Sequence, residues 1–450
     1  MTALARTWDR LTLPGRALFI LVPLLAIATI GLIVVIGLFG GTILDILVAN
    51  LGIVRFVFAA SVLLLLAPPI AFVIIFMEMK VIALMNLRIG PDRVGPWGTL
   101  LSTVHGLKVL MKEDFTPTRA DPVVFTWAPV VVFATMPLSA MVIPFAPGLF
   151  GQDFNLGLLY FFAIGGLTVV GLLMGGWASF NKYSLLGGLR SAAQIVSYEI
   201  PLTLSVVGLV LLAGTMSLNQ IVQQQGVSGW FTDWFAVRQP LGFLIFAIAA
   251  TAEANRTPFD LTEADSEIVA GFATEYSGMR FGFFFFAEYI NVFIVSALTV
   301  VLYLGGSNAP LTLPHIAVYL DPASLGIGLL FLVALVPVIG TLVLAAPVWL
   351  FRSKTRWWVA LIIGFVLFNL LVVVAVVGWA FISWDWVAGL MWFLLKSYVF
   401  VFTFVWMRGT LPRVRIDQLM GFAWKWLLPA SLLNLFVTAA ALVVVHRPAG

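Results

Sequence analysis

The 450-residue chain contains no cysteine and only three histidines, His105, His315 and His446. Without thiols it forms no disulfide and holds no thiolate-ligated iron–sulfur cluster. The histidines lie too far apart for a metal-ligand spacing, so no metal site is expected. Glycine-rich phosphate loops of the GxGxxG or P-loop kind are also missing. Any redox chemistry would therefore need its carriers on another chain; neither flavin nor a covalently bound cofactor is expected in this one. Charge is equally scarce. Only 10% of residues are Asp, Glu, Lys or Arg, against about 25% in a soluble domain.

What is abundant is apolar length. Hydrophobic residues make up 62% of the chain, and the mean hydropathy is +1.09. Runs of about 20 apolar residues recur, the length a helix needs to cross the hydrocarbon core. The short alternating segments of a membrane β-barrel are absent. The composition therefore predicts an all-α polytopic membrane protein with eleven transmembrane helices. They fall near 17–41, 52–77, 123–146, 156–178, 195–214, 240–254, 283–305, 325–350, 357–383, 386–407 and 424–445. The first run is too long for the apolar region of a signal peptide and reads as a retained helix.

Basic residues orient these helices. With the N-terminus inside, the inside segments are 1–16, 78–122, 179–194, 255–282, 351–356 and 408–423, and they carry 19 of the 24 Lys and Arg residues. Arg55, Arg238 and Arg447 fall outside, Lys396 lies within a span, and Lys425 sits just inside a helix end. The positive-inside bias thus predicts a cytoplasmic N-terminus and an outside C-terminus. The net charge of +4 reflects this loop topology and gives no reason to expect nucleic acid as a partner. Residues 98–112 place Leu100, Val104, Leu107 and Met111 at helical spacing, with Lys108 and Lys112 toward the other side. This predicts an amphipathic helix on the cytoplasmic side, lying in the membrane interface. A surface helix packed on the bundle fits the pattern equally well.

The few acids are not spread evenly. Glu253, Asp260, Glu263, Asp265, Glu267 and Glu275 are six of only 20 Asp and Glu residues, yet they share 27 positions, with Arg256 the only base among them. Glu253 directly follows an apolar run. Pro258 is expected to break the helix there, and Thr262 reads as the N-cap of a further helix start. Glu263 and Glu267 are one helical turn apart and share a face. Carboxylates this close in a poorly solvated site cannot all ionise cheaply, which suits proton exchange. A solvated loop is the plainer alternative. Glu199, beside Pro201, and Glu288, among aromatics, add two acids in apolar context. Lys396 is expected to be their counter-charge or, less readily from mid-span, to snorkel.

Two basic stretches complete the set. In "MEMKVIALMNLRIGPDRVGPWG", Glu78 is expected to end a helix, and the Gly/Pro-rich turn with Arg88 suits the mouth of a site open to an amphiphile. In "WMRGTLPRVRIDQLM", Arg408, Arg413, Arg415 and Asp417 suit electrostatic docking of a partner subunit. Ordinary loop positives explain either stretch as well.

The stretches "ALMNLRIGPDRVGPWG", "LRSAAQIVSYEIP", "AEANRTPFDLTEADSEIVAGFATEYSGMRFGFFFFAEY" and "RGTLPRVRIDQLM" together resemble one membrane-subunit family of proton-pumping NADH–quinone oxidoreductase, respiratory complex I. Its mitochondrial member is called subunit 1. The resemblance implies eight core helices, with three extra here: an N-terminal helix in 1–50 and a pair inserted within 307–384, leaving core segments 51–306 and 385–450. It implies a quinone substrate, a quinone tunnel near Glu78, Arg88, His105, Arg256 and Phe259, and a proton relay through Glu253, Glu263, Asp265, Glu267, Glu275, Glu199 and Glu288. It also implies a bacterial inner-membrane location, with peripheral-arm quinone-site subunits and membrane-arm subunits as partners. The chain departs from the family pattern at Met79, where arginine is usual, at Asn86 and Ser102, where glutamine is usual, and at His105, where aspartate is usual. Menaquinone or a shifted headgroup pose would fit those changes.

Other readings remain open on sequence alone: the corresponding subunit of a membrane-bound hydrogenase or other-donor dehydrogenase, an ion-coupled secondary transporter, or a structural anchor. The relay reading predicts that Glu267→Gln leaves assembly intact but abolishes quinone-coupled proton pumping in proteoliposomes. An unaltered proton-to-electron ratio would contradict it.

Overall fold

The computed structural model describes residues 51–226, 230–260, 270–310 and 385–445. The expected spans at 17–41, 325–350 and 357–383 lie outside these residues, as do Glu263, Asp265, Glu267 and Thr262. Residues up to Phe58 form one unit and those from Ala59 a second; the account below concerns the second. Among the described residues, regular structure is helical apart from isolated bridge residues: Ala146 paired with Leu149, and Trp230.

The helices in chain order are α1 (Leu51–Met85), α2 (Leu101–Leu110), α3 (Pro122–Ala140), α4 (Gly157–Ala178), α5 (Lys182–Ala213), α6 (Leu218–Gln224), α7 (Phe235–Arg238), α8 (Pro240–Glu253), α9 (Gly278–Tyr303), α10 (Asp385–Thr410), α11 (Ile416–Phe422) and α12 (Leu428–Val445). A π-helical turn, Ala423–Leu427, joins α11 to α12. Seven helices in the described residues are long and apolar enough to cross a membrane, and α8 is a shorter apolar helix. The chain is a polytopic membrane protein. All eight expected spans that fall in the described residues are helical.

Several boundaries differ from expectation, each for a local reason. Glu78 does not end a helix, because the apolar run continues past it and α1 stops only at Met85. The stretch 182–194 is not a loop. Asn181 caps the helix by accepting from the Tyr183 amide, and Ser184, Ser191 and Gln194 are buried against protein. Chain reversal after α8 begins at Asn255 (φ 49°), ahead of Pro258. The helix at 98–112 is present as α2. Its inner side, Ser102, Gly106 and Val109, packs toward Phe72 and α9. The predicted apolar stripe of Leu100, Val104, Leu107 and Met111 is exposed.

Helix α9 is the axis of the bundle. Every residue from Val292 to Tyr303 is buried, the pattern of a helix that is apolar all round. It packs against α2, α3, α6, α8 and α10. Its far end is fastened by Lys396, whose ammonium donates to the carbonyls of Leu304, Gly306 and Asn308 at 2.7, 2.8 and 2.6 Å and lies 4.8 Å from the Trp234 ring. Lys396 is therefore not the counter-charge of an intramembrane acid, nor does it snorkel. Its three donors meet the carbonyl of the residue that caps α9 and two carbonyls of the turn that follows.

Several of the connections are tied to one another at one end of the bundle. That end collects 86–121, 179–181, 254–260, 270–277 and 411–415, tied by Asp121 N–H to Ala178 O, Ser184 Oγ to Phe272 O and Val414 N–H to Pro258 O. At that end Gly187 lets α5 approach the turn at Gly271; a Cβ there would lie 2.6 Å from the Gly271 backbone. A Gly187→Val chain should lose about 1–3 kcal/mol or more, seen as a lower thermal midpoint of the assembled protein. Gly165→Ala, facing open space, should leave the midpoint unchanged; equal midpoints for both would contradict this packing.

Candidate functional site

Helix α8 has 14 residues, about 21 Å at 1.5 Å per residue, too short for a hydrocarbon core of about 30 Å. Its continuation, Ala254–Asp260, is irregular yet largely buried: Ala254, Arg256, Thr257, Phe259 and Asp260 are all in the interior. Irregular backbone at membrane depth persists only where protein satisfies its polar groups. Gln194 of α5 does much of this, its Nε2 reaching the Ala252 and Phe259 carbonyls at 2.8 Å each and Asn255 Oδ1 at 3.1 Å. The Arg256 amide bonds Thr251 O, the Phe259 amide bonds Arg256 O, and Pro258 O accepts from Val414. Thr257–Pro258 is cis.

This segment carries Arg256 into the protein. The side chain is 5% exposed and lies with Nη1 3.5 Å from Glu78 Oε2 and Nη2 3.6 Å from Glu288 Oε1. Its guanidinium stands 4.3 Å from the Tyr289 ring centre, a cation–π contact. The other oxygen of Glu78 is held by Arg408 of α10. Charges of alternating sign thus run Arg408, Glu78, Arg256, Glu288, contributed by α10, α1, the segment after α8, and α9. Beside them, Asp260, 2% exposed, pairs with Arg413 at 3.1 Å. Arg408 and Arg413, expected as docking charges, are engaged within the chain; Arg415 and Asp417 are exposed.

Glu78 also faces an open cavity of about 360 Å³ lined by Met79, Ile82, Ala83, Arg88, Ile89, Gly90 and Pro91. Of the residues expected near a quinone tunnel, Glu78 and Arg88 line it, and Arg256 lies behind Glu78. His105 is on the exposed side of α2, and Phe259 packs on Tyr198 at 5.5 Å between ring centres. Met79, a departure from the family pattern, forms part of the wall.

The other expected acids are placed separately. Glu253 ends α8, its carbonyl accepting from Asn291 at 3.4 Å, and it is within electrostatic reach of Glu199 on α5. Glu275 accepts from Asn181 Nδ2 at 2.6 Å. Next to it Tyr276 stacks on Phe125 at 4.0 Å and donates to the Phe125 carbonyl; burial raises its hydroxyl above the usual phenolic range, so it remains a donor. The residues that sequence reasoning missed are Gln194, which carried no charge to draw notice, and Tyr289. Arg408 was noticed but assigned outward.

Residues 57–439 match the family model described as NADH dehydrogenase. A relative from Anoxybacillus flavithermus, named as a subunit of NADH-quinone oxidoreductase, is 42% identical, over 81% of this chain and 87% of its own length. Its namesake from Geobacillus kaustophilus is 43% identical over 84% and 91%. A third, from Dehalococcoides mccartyi strain CBDB1, is 40% identical over 83% and 82%. Matched over most of its length by both the model and these relatives, the chain belongs to the NADH dehydrogenase family.

Proposed function

We propose that the chain is the quinone-site membrane subunit, the counterpart of mitochondrial subunit 1, of a proton-translocating NADH:quinone oxidoreductase in the bacterial inner membrane. Its basic loops are cytoplasmic and its C-terminus is outside. In this reading the cavity beside Glu78 and Arg88 receives the quinone headgroup, with Arg88 and Glu78 as polar contacts and Met79, Ile82 and Ile89 as apolar walls. Electrons come from a cluster on a peripheral-arm subunit. Reduction generates negative charge and proton demand at the headgroup. The carboxylates of 260–275, with Glu253, Glu199 and Glu288, answer by exchanging protons, and the change passes into the membrane arm. This chain supplies no redox centre in that scheme; it binds the quinone and carries the response.

The observation that supports this reading most is the line of charge from the cavity into an apolar bundle. A carboxylate on the central helix is costly in a membrane and is retained where it works on ions or protons. Glu288 is reached from the cavity by one intervening side chain, Arg256. The relatives named for NADH and quinone favour this reading over a hydrogenase-type complex. A stand-alone transporter would not need a cavity at the cluster's edge.

Glu288→Gln keeps the shape of the side chain and removes its charge. In the reconstituted complex, NADH-driven quinone reduction should persist within a few-fold of the parent, while the proton-to-electron ratio falls well below it. An unchanged ratio would refute a relay through the central helix.

A further inference from the structure

A second open cavity, of about 470 Å³, is lined by Phe154, Asn155, Leu156, Leu159, Tyr160 and Ala163. Helix α4 ends at Ala178, whose carbonyl is tied to Asp121 among the connections described above. Its start at Gly157, and this cavity with it, therefore lies at the other end, the outer one in the proposed orientation. The cavity descends along the first two turns of α4, about 10 Å from Leu156 to Ala163. The Phe154 and Tyr160 rings stand 5.3 Å apart between centres and give it an aromatic side. Below it the same helix stays uncovered by described residues. Leu167 and Val170 are exposed, and a Cβ at Gly165 or Gly166 would meet nothing within 4 Å.

Asp153 immediately precedes this lining and is exposed. Its Oδ1 accepts from Ser217 Oγ at 3.2 Å and its Oδ2 from Asn219 Nδ2 at 3.1 Å. Close by, the Leu158 amide bonds Met216 O, so the loop before α4 and the start of α6 are joined. The acid is held in one place, yet both of its donors are neutral, and no described Lys or Arg pairs with it. A carboxylate can accept about four hydrogen bonds, so Asp153 retains room for a charged donor. Tyr160 adds a ring with a polar tip, the kind of side chain that suits the boundary between hydrocarbon and headgroups.

We propose that this cavity binds one phospholipid with a primary ammonium headgroup, phosphatidylethanolamine. The ammonium sits on Asp153, the Tyr160 hydroxyl donates to a phosphate or ester oxygen, and an acyl chain runs past Leu159 and Ala163 onto the open face of α4. Charge selects the headgroup: a fixed acid without a base attracts an ammonium and repels an anionic lipid. Shape favours a lipid over a partner helix. Spread over its length, the cavity is narrower than a helix of about 10 Å diameter, which would bridge it without filling it. The lipid touches no residue at the Glu78 cavity, so this site stands or falls apart from the quinone reading.

The test uses the intact complex in liposomes that contain a trace of phospholipid with a photoactivatable diazirine on one acyl chain. The headgroup is ethanolamine in one set and glycerol in the other, with the bulk lipid the same in both. After illumination, labelled peptides are mapped by mass spectrometry. The ethanolamine lipid should label 154–167 at least about fivefold more than the glycerol lipid. Asp153→Asn should bring that preference close to one. Ala163→Trp fills the groove and should cut the ethanolamine label at least about fivefold, with NADH-driven quinone reduction within about twofold of the parent. Should the tryptophan variant fail to assemble, the loss of preference in Asp153→Asn decides alone. Equal labelling by the two headgroups in the parent would mean ordinary surrounding lipid and overturns the proposal. A preference that survives Asp153→Asn also overturns it, as does a segment that takes no lipid label because another subunit covers it.

Discussion

A short apolar helix continued by buried irregular backbone governs the architecture. Pro240–Glu253 provides about 21 Å of helix, less than the roughly 30 Å of a hydrocarbon core. Irregular backbone follows it into the interior, and each carbonyl or amide left bare there would cost about 1–3 kcal/mol or more. Gln194 accounts for two of the carbonyls and an asparagine side chain. Its own glutamine amide is buried in α5, opposite the segment it secures. The sequence "ANRTPFD" thus forms an ordered, buried element, although the same composition elsewhere would make a surface turn.

The buried ion cluster of Glu78, Arg256, Asp260 and Glu288 follows from that element. It brings Arg256 between α1 and α9, and it brings Asp260 within reach of Arg413. A buried guanidinium without carboxylates would be untenable, and buried carboxylates without it nearly so; removing one partner of such a pair typically costs about 3–5 kcal/mol. The cluster is therefore interdependent, and the four segments that supply it are fastened to one another by charge. At the opposite end the fastening is of another kind. Lys396 binds bare carbonyls where α9 ends, and Gln225 bridges Val301 O and the Gly305 amide. Helix α9 is thus held rigid at the far end, while its near end carries the groups able to change charge.

The helices were legible in the sequence because length and apolarity alone define a span. Their ends were less so. Hydropathy treats polar residues as solvated, so 182–194 read as a loop, whereas Ser184, Ser191 and Gln194 are polar residues turned toward protein. The acids of the site were conspicuous for being rare, but their partners were not. The positive-inside rule counts every loop arginine alike, and nothing local joins Arg408 to a glutamate 330 positions earlier. Lys396 was misjudged for a related reason: an intramembrane cation suggests an anion, but a helix end offers carbonyls that satisfy an ammonium as fully. Resemblance to a family named the cavity residues Glu78 and Arg88, while composition could offer only a basic turn.

The dependence of the buried segment on Gln194 is open to direct measurement, since the chain has no cysteine of its own. Thr257→Cys places one thiol in the interior of the segment, and labelling by a water-soluble maleimide can be followed on this chain within the membrane-bound complex. The thiol should resist labelling while Gln194 is present and become reactive when Gln194→Leu is added. Equal reactivity in the two backgrounds, whether both labelled or both protected, would contradict the account.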